Sequence, residues 1–110
     1  ASKLATTSLM DTFLDLLRGI QKRPAMYIGS TSIHDLQMFL EGYLFSRHQL
    51  GIEKTKTEKQ FENFQKWVEE KYSIKASRSW SHIIMFFSST PQDSFKRFYQ
   101  LLDEFLEQEV

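Results

Sequence analysis

The sequence has no cysteine, only two prolines and four glycines, and no surplus of charge of either sign. The first absence excludes disulfides, thiolate nucleophiles and zinc–thiolate centres, and it suits a reducing compartment, so a cytoplasmic protein is expected. Glycines scattered singly along the chain do not make a phosphate-cradling loop. Lys plus Arg equals Asp plus Glu at 14 each, so no global charge draws the chain to nucleic acid or to an anionic membrane. No apolar run approaches the roughly 18 residues needed to span a bilayer, and residues 1–7 lack the apolar stretch of a secretory signal.

What the sequence has in quantity is aromatic rings. Ten Phe, four Tyr and two Trp in 110 residues give enough apolar volume for one core and imply that rings fill much of it, so a single domain over residues 1–110 is expected. The apolar residues recur at helical spacing. Leu9, Phe13, Leu16, Leu17 and Ile20 predict a first helix over 8–22, capped by Ser8 with Asp11 in its first turn, after a frayed arm at 1–7. Ser32 as cap and Leu36, Phe39, Leu40, Tyr43 and Leu44 as stripe predict a second helix to about 49, stopped at Gly51; Gly42 within it suggests close packing of another element. The polar, lysine-bearing segment 51–57 reads as a loop.

Thr57 through Gln60 matches a capping box, and Phe61, Phe64, Val68 and Tyr72 make the stripe of a third helix ending near Ser73, with Trp67 at its margin. Residues 80–87 are ambiguous, because five consecutive apolar residues suit a buried strand as well as a buried helix. The i, i+3, i+4, i+7 spacing of Trp80, Ile83, Ile84 and Phe87, with no partner strand in evidence, favours a short helix; a strand there would make the class α+β. Thr90 and Pro91 then start a last helix whose apolar face includes Phe95, Phe98, Tyr99, Leu102, Phe105 and Leu106. The expected fold is an all-α bundle of about five helices.

Between the first two helices lies the segment that reads as a motif, residues 22–30. Pro24 ends the incoming helix by restricting Arg23, Gly29 is free to take a positive φ, and Met26 and Tyr27 are expected to pack between the two helices, so Arg23, Pro24, Met26, Tyr27 and Gly29 form a structural anchor. This segment is very similar to the Lys-Arg-Pro-Gly-Met-Tyr-Ile-Gly-Ser-Thr segment near the start of the ATPase domain in DNA gyrase B subunits. That likeness covers about ten residues, and the helix following it here, from His34 onward, has no Glu-x-x-x-Asn pair, so nucleotide hydrolysis is not expected.

A second likeness runs over nearly the whole chain: Arg23-Pro24-Ala25-Met26-Tyr27-Ile28-Gly29, then Phe39-Leu40-Glu41-Gly42-Tyr43, then Phe64, Trp67 and Tyr72, the Trp80 segment, and 98–105 at the close. In these the chain resembles small bacterial immunity proteins of contact-dependent growth inhibition systems. The resemblance implies a non-catalytic protein that binds and neutralises a cognate toxin domain, a nuclease being the expected kind.

The residues themselves offer no catalytic constellation. His34 and His48 lie about four turns apart on one helix, roughly 21 Å, and cannot share a metal there, while His82 could reach either only through tertiary packing. No serine sits in a Gly-x-Ser-x-Gly elbow. No metal or cofactor is therefore expected. From Phe98 onward the charges are Asp103, Glu104, Glu107 and Glu109 with no base, and acids at a helix C-terminus oppose its dipole. They read either as a solvated face or as an acidic docking surface for a basic partner, with Asp103, Glu104 and Glu107 as contacts and Trp67 as an aromatic anchor beside them. Neither direct nucleic-acid binding nor membrane binding is expected, and the chain should be a monomer or weak homodimer. The rival readings are a helical ligand-binding domain or enzyme with a pocket near Arg23, Tyr27 and Trp80, and a homodimeric adaptor.

Overall fold

A carboxylate placed just before an apolar helical stripe can either sit in the first turn or cap it, and here it caps. The computed structural model describes residues 11–75 and 78–108, and Asp11 Oδ1 accepts the amide hydrogen of Leu14 at 3.1 Å, making Asp11 the N-cap of α1 (Thr12–Lys22). This corrects its expected place in the first turn. The expected cap at Ser8, the arm at 1–7 and Glu109 lie outside the described residues. Pro24 does end the helix, and the Arg23 amide donates to the Gly19 carbonyl at 2.9 Å.

The link is itself a helix, α2 (Pro24–Ile28), with proline in the first turn and Gly29 closing it at φ 74°. A helical link turns each successive side chain by about 100°, so three adjacent large residues cannot all face inward. Ile28 packs against the core, whereas Met26 is 71% and Tyr27 40% exposed. The expected burial of Met26 and Tyr27 is thereby corrected, although the Tyr27 hydroxyl does lie across Gly19, only 2.9 Å from where a Cβ would stand.

α3 (Ile33–Gln49) starts where the Ser32 hydroxyl accepts the Asp35 amide and stops before Gly51 at φ 69°. Gly42 meets nothing within 4 Å, so the close packing expected there is absent; Gly19 is the crowded glycine. The third expected helix is two: α4 (Lys56–Phe61) and α5 (Phe64–Lys71), parted at Glu62 and Asn63. Its capping box is made by Thr55 and Glu58 rather than by Thr57. That correction has a physical basis, since the amide of the buried Thr57 already donates to Asp11 Oδ2 at 2.9 Å and so ties α4 to the cap of α1.

Residues 80–87 resolve as α6 (Trp80–Phe86), and α7 (Pro91–Gln108) opens with Thr90 Oγ1 accepting the Asp93 amide at 3.0 Å. No strand occurs among the described residues, so the class is all-α, with seven helices rather than five. α6 packs on α3, α5 and α7, and α1 on α2 and α4. Rings fill the centre: Phe64, fully buried, meets Phe61, Trp67, Trp80, Phe98 and Phe105 at centroid distances of 5.0–6.0 Å. The buried Tyr99 hydroxyl donates to the Leu17 carbonyl at 2.8 Å and joins α7 to α1.

Candidate functional site

Among the described residues, three regions bear on the expected function. The first is where α3 meets α6. His34 and His82, far apart in sequence, stand with ring centroids 4.6 Å apart, and a chain of hydrogen bonds joins them: His34 Nδ1 to Ser81 Oγ at 3.0 Å, Ser81 Oγ to Ser79 Oγ at 3.2 Å, Ser79 Oγ to His82 Nδ1 at 2.9 Å. Burial holds His34 below the ordinary imidazole pKa; the neighbouring His82 lowers it further, and Asp35 partly offsets both.

A serine 3.0 Å from an imidazole invites comparison with a nucleophile and its base. Ser81, however, is only 2% exposed and its amide donates to Gln37 Oε1 at 3.3 Å, so a substrate carbonyl reaches neither its hydroxyl nor its N–H. The cluster fastens α6 to α3. Sequence reasoning missed it because its members meet only through tertiary packing, and among the described residues no group of three or more His, Asp or Glu could hold a metal ion.

The second region is the C-terminal end of α3 and the loop after it. Phe45, Leu50 and Ile52 are 63%, 76% and 43% exposed, and Met38, two turns before Phe45, stands out from the same helix. α3 is apolar on both faces, the mark of a helix with a second surface to cover. Phe45, Ile52 and Leu44 border a recess of about 330 Å³ with His48, Lys54, Phe61 and the two acids Glu58 and Glu62. Beneath it lies an ion pair that the sequence did not disclose: Arg47 Nη2 reaches Glu58 Oε1 at 2.7 Å with both side chains largely out of solvent, and it also donates to the Glu53 carbonyl at 3.1 Å. The hydrogen bond that Arg47 donates to Glu58 raises the Arg47 pKa against the opposing effect of burial. Glu58 closes the α4 capping box with the same oxygen, so one carboxylate fixes the loop at two points.

The third region is the acidic end of α7. Asp103 pairs with Arg18 at 2.6 Å and Glu104 with Lys71, so two of the three acids are neutralised within the chain; Glu107 is exposed and has no ion pair among the described residues. Trp67 is not a free anchor either. Its ring stacks on Phe64 and edges onto Phe105 at 5.5 Å, and its Nε1–H donates to Gln108 Oε1 at 2.7 Å. A half-buried aromatic at a helix margin is drawn inward when its neighbours are rings.

Trp80 is 6% exposed among Phe61, Phe64 and Phe98, while Arg23 and Tyr27 stand at the surface of the link. No helix among the described residues is long and apolar enough to cross a membrane. No family model, curated protein or solved structure matches the chain.

Proposed function

We propose that this chain is a binding protein of the immunity type, which neutralises a cognate bacterial toxin domain by covering its active site or substrate surface and catalyses no reaction itself. The resemblance of its motifs to immunity proteins of contact-dependent growth inhibition supplies the kind of partner, a nuclease first among them. The observation that carries the reading is the exposure of Phe45, Leu50 and Ile52 at the end of α3 and on the loop after it, with Phe45 and Ile52 on one recess and the loop braced by the Arg47–Glu58 pair. Large exposed apolar side chains that gather on one surface mark places where something binds. A rigid backbone beneath exposed anchors lowers the ordering cost of association.

On this reading the contact surface is the end of α3 rather than the acids of α7, where Asp103 and Glu104 already have partners. Glu107 remains free to steer a basic partner into encounter. The cytoplasm, where such a toxin would act, is the corresponding location.

The test is growth and binding. A toxin domain encoded beside this protein should arrest cells when expressed alone and leave them growing when this protein is co-expressed. Phe45→Asp combined with Ile52→Asp should abolish protection and raise the dissociation constant at least 100-fold, as loss of a central anchor does, while the unfolding midpoint stays put. Protection that survives the double variant removes this surface from the mechanism. A toxin that is equally lethal with and without the protein removes the immunity reading altogether, and a stable dimer in its absence favours the adaptor.

A further inference from the structure

A cleft at the junction of α5 and α6 shares no lining residue with the surface at the end of α3. It encloses about 590 Å³ between Ile74, Ile83, Met85 and Phe86 on the apolar side and Lys75, Arg78 and His82 on the polar side. That volume is in the range of small-molecule sites, and the composition, an apolar wall with a few convergent polar groups, is theirs as well. The polar groups are all basic. Lys75 and Arg78 are exposed and form no salt bridge among the described residues; Glu69 and Glu70 border an adjoining recess that shares Ile74 and Lys75 with the cleft and does not include Arg78.

The backbone at Ile74 and at Arg78 is fastened. The Ile74 amide donates to the Glu69 carbonyl at 2.8 Å, and the Arg78 carbonyl accepts Gln65 Nε2 at 3.0 Å, so the backbone on each side is fastened to α5. His82 is oriented by Ser79 at 2.9 Å. The apolar wall is equally fixed: Phe87 stacks on Tyr72 at 4.5 Å with an interplanar angle of 9°, and Phe86 meets Phe87 edge-on at 5.0 Å. Phe86 itself is 79% exposed, the most exposed large apolar residue described, and it lines the cleft together with Lys75 and Arg78.

We propose that this cleft binds an amphipathic organic anion, a single anionic head group on an aromatic or short aliphatic body. The guanidinium of Arg78 offers a fork for a carboxylate or phosphate monoester, Lys75 adds a point charge, and the ring of Phe86 covers the body of the ligand. Neither half of such a molecule would suffice. A bare ion leaves the apolar wall wet, and a neutral hydrocarbon leaves the cations without a counter-charge.

Backbone amide NMR titration of the whole chain with 2-naphthoate and with 2-naphthyl phosphate tests this directly. Saturable shifts are expected at Ile74, Lys75, Arg78, His82 and Phe86, with dissociation constants of about a millimolar or below, as befits ligands of this size. The tighter of the two probes identifies the head group. Neutral 2-naphthalenemethanol and acetate should each bind at least 10-fold more weakly, and Lys75→Gln with Arg78→Gln should weaken the probe at least 10-fold without moving the unfolding midpoint. Equal binding of the neutral alcohol, equal binding of acetate, or shifts centred on Phe45 and Ile52 would each overturn the assignment. The comparison of probes on the unaltered protein stands even if the double variant does not fold.

Discussion

Phe64 and Phe45 are the same side chain on two helices of one protein, and their surroundings are opposite. Phe64 is fully buried with five rings around it, whereas Phe45 is 63% exposed at the edge of a shallow recess. The region round Phe64 is stabilised by its own packing. The region round Phe45, Leu50 and Ile52 is held by polar bonds below the surface and presents apolar area above it. Abundant aromatic residues therefore serve two ends here, a core and an outward face, and only the first contributes to folding.

The largest test of that contrast is Phe64→Ala, which should cost about 3–5 kcal/mol in chemical denaturation. Phe45→Ser should change the same measurement by less than about 0.5 kcal/mol, since surface substitutions seldom do more. Near-equal values would erase the distinction between the two regions.

Glu58→Gln should come next. It leaves the Arg47 guanidinium without its counter-charge in a largely buried position, and loss of one partner from such a pair costs about 3 kcal/mol. The neutral amide tests whether charge, and not shape alone, braces the loop. Smaller again is Tyr99→Phe, which removes the hydroxyl bond to Leu17 and should cost about 1 kcal/mol.

Tyr99 also sets an alkaline limit. Burial pushes its phenol above the ordinary pKa of 10.0, with Arg18 opposing slightly. The folded state thus favours the neutral ring, and the stabilisation is complete below pH 10. Above that the unfolded chain ionises first, and the contribution falls as pH rises towards the folded value. His34 works at the other side of neutrality: its folded pKa lies below 6.5, so its contribution is complete above pH 6.5 and declines as pH falls from there. Stability measured from pH 5 to 8 in His34→Gln should lack that part of the slope.

The glycines give the smallest effects. Gly42→Ala should stabilise by about 0.5–1 kcal/mol, because helix propensity improves and the new methyl meets open space. Gly19→Ala gains the same propensity but must displace the Tyr27 hydroxyl, so it should fall below Gly42→Ala by a measurable margin. The reverse order would mean that the link does not rest on α1.

Much of this architecture could be read from periodicity. The stripes of α1, α3 and α7, the stop at Pro24, and the caps at Ser32 and Thr90 are local patterns, and local patterns survive folding intact. The ambiguity at 80–87 was settled by α3, α5 and α7 surrounding a short apolar segment, which no window of sequence reports. The break at Glu62 and Asn63 escaped notice because the apolar stripe continues across it. What the sequence did not disclose were pairs distant along it: His34 with His82, Arg47 with Glu58, and the acids of α7 with Arg18 and Lys71. An acidic run looks like a free surface until its counter-ions are located.

The interruption between α4 and α5 has a consequence for motion. One continuous helix would force the lysine loop and the aromatic centre to open together, whereas two short helices can part at the joint between them. The first turn of α4 keeps the Arg47–Glu58 pair, the Thr55 box and the Thr57 bond to Asp11, and can release these bonds while Phe61, at the end of α4, stays packed on Phe64. Its amides should therefore exchange with solvent through local opening, at a free energy well below that of global unfolding, while those of α5 and α7 wait for the whole molecule. Substitutions at the joint would then shift the population of the open loop, and the core would not register the change.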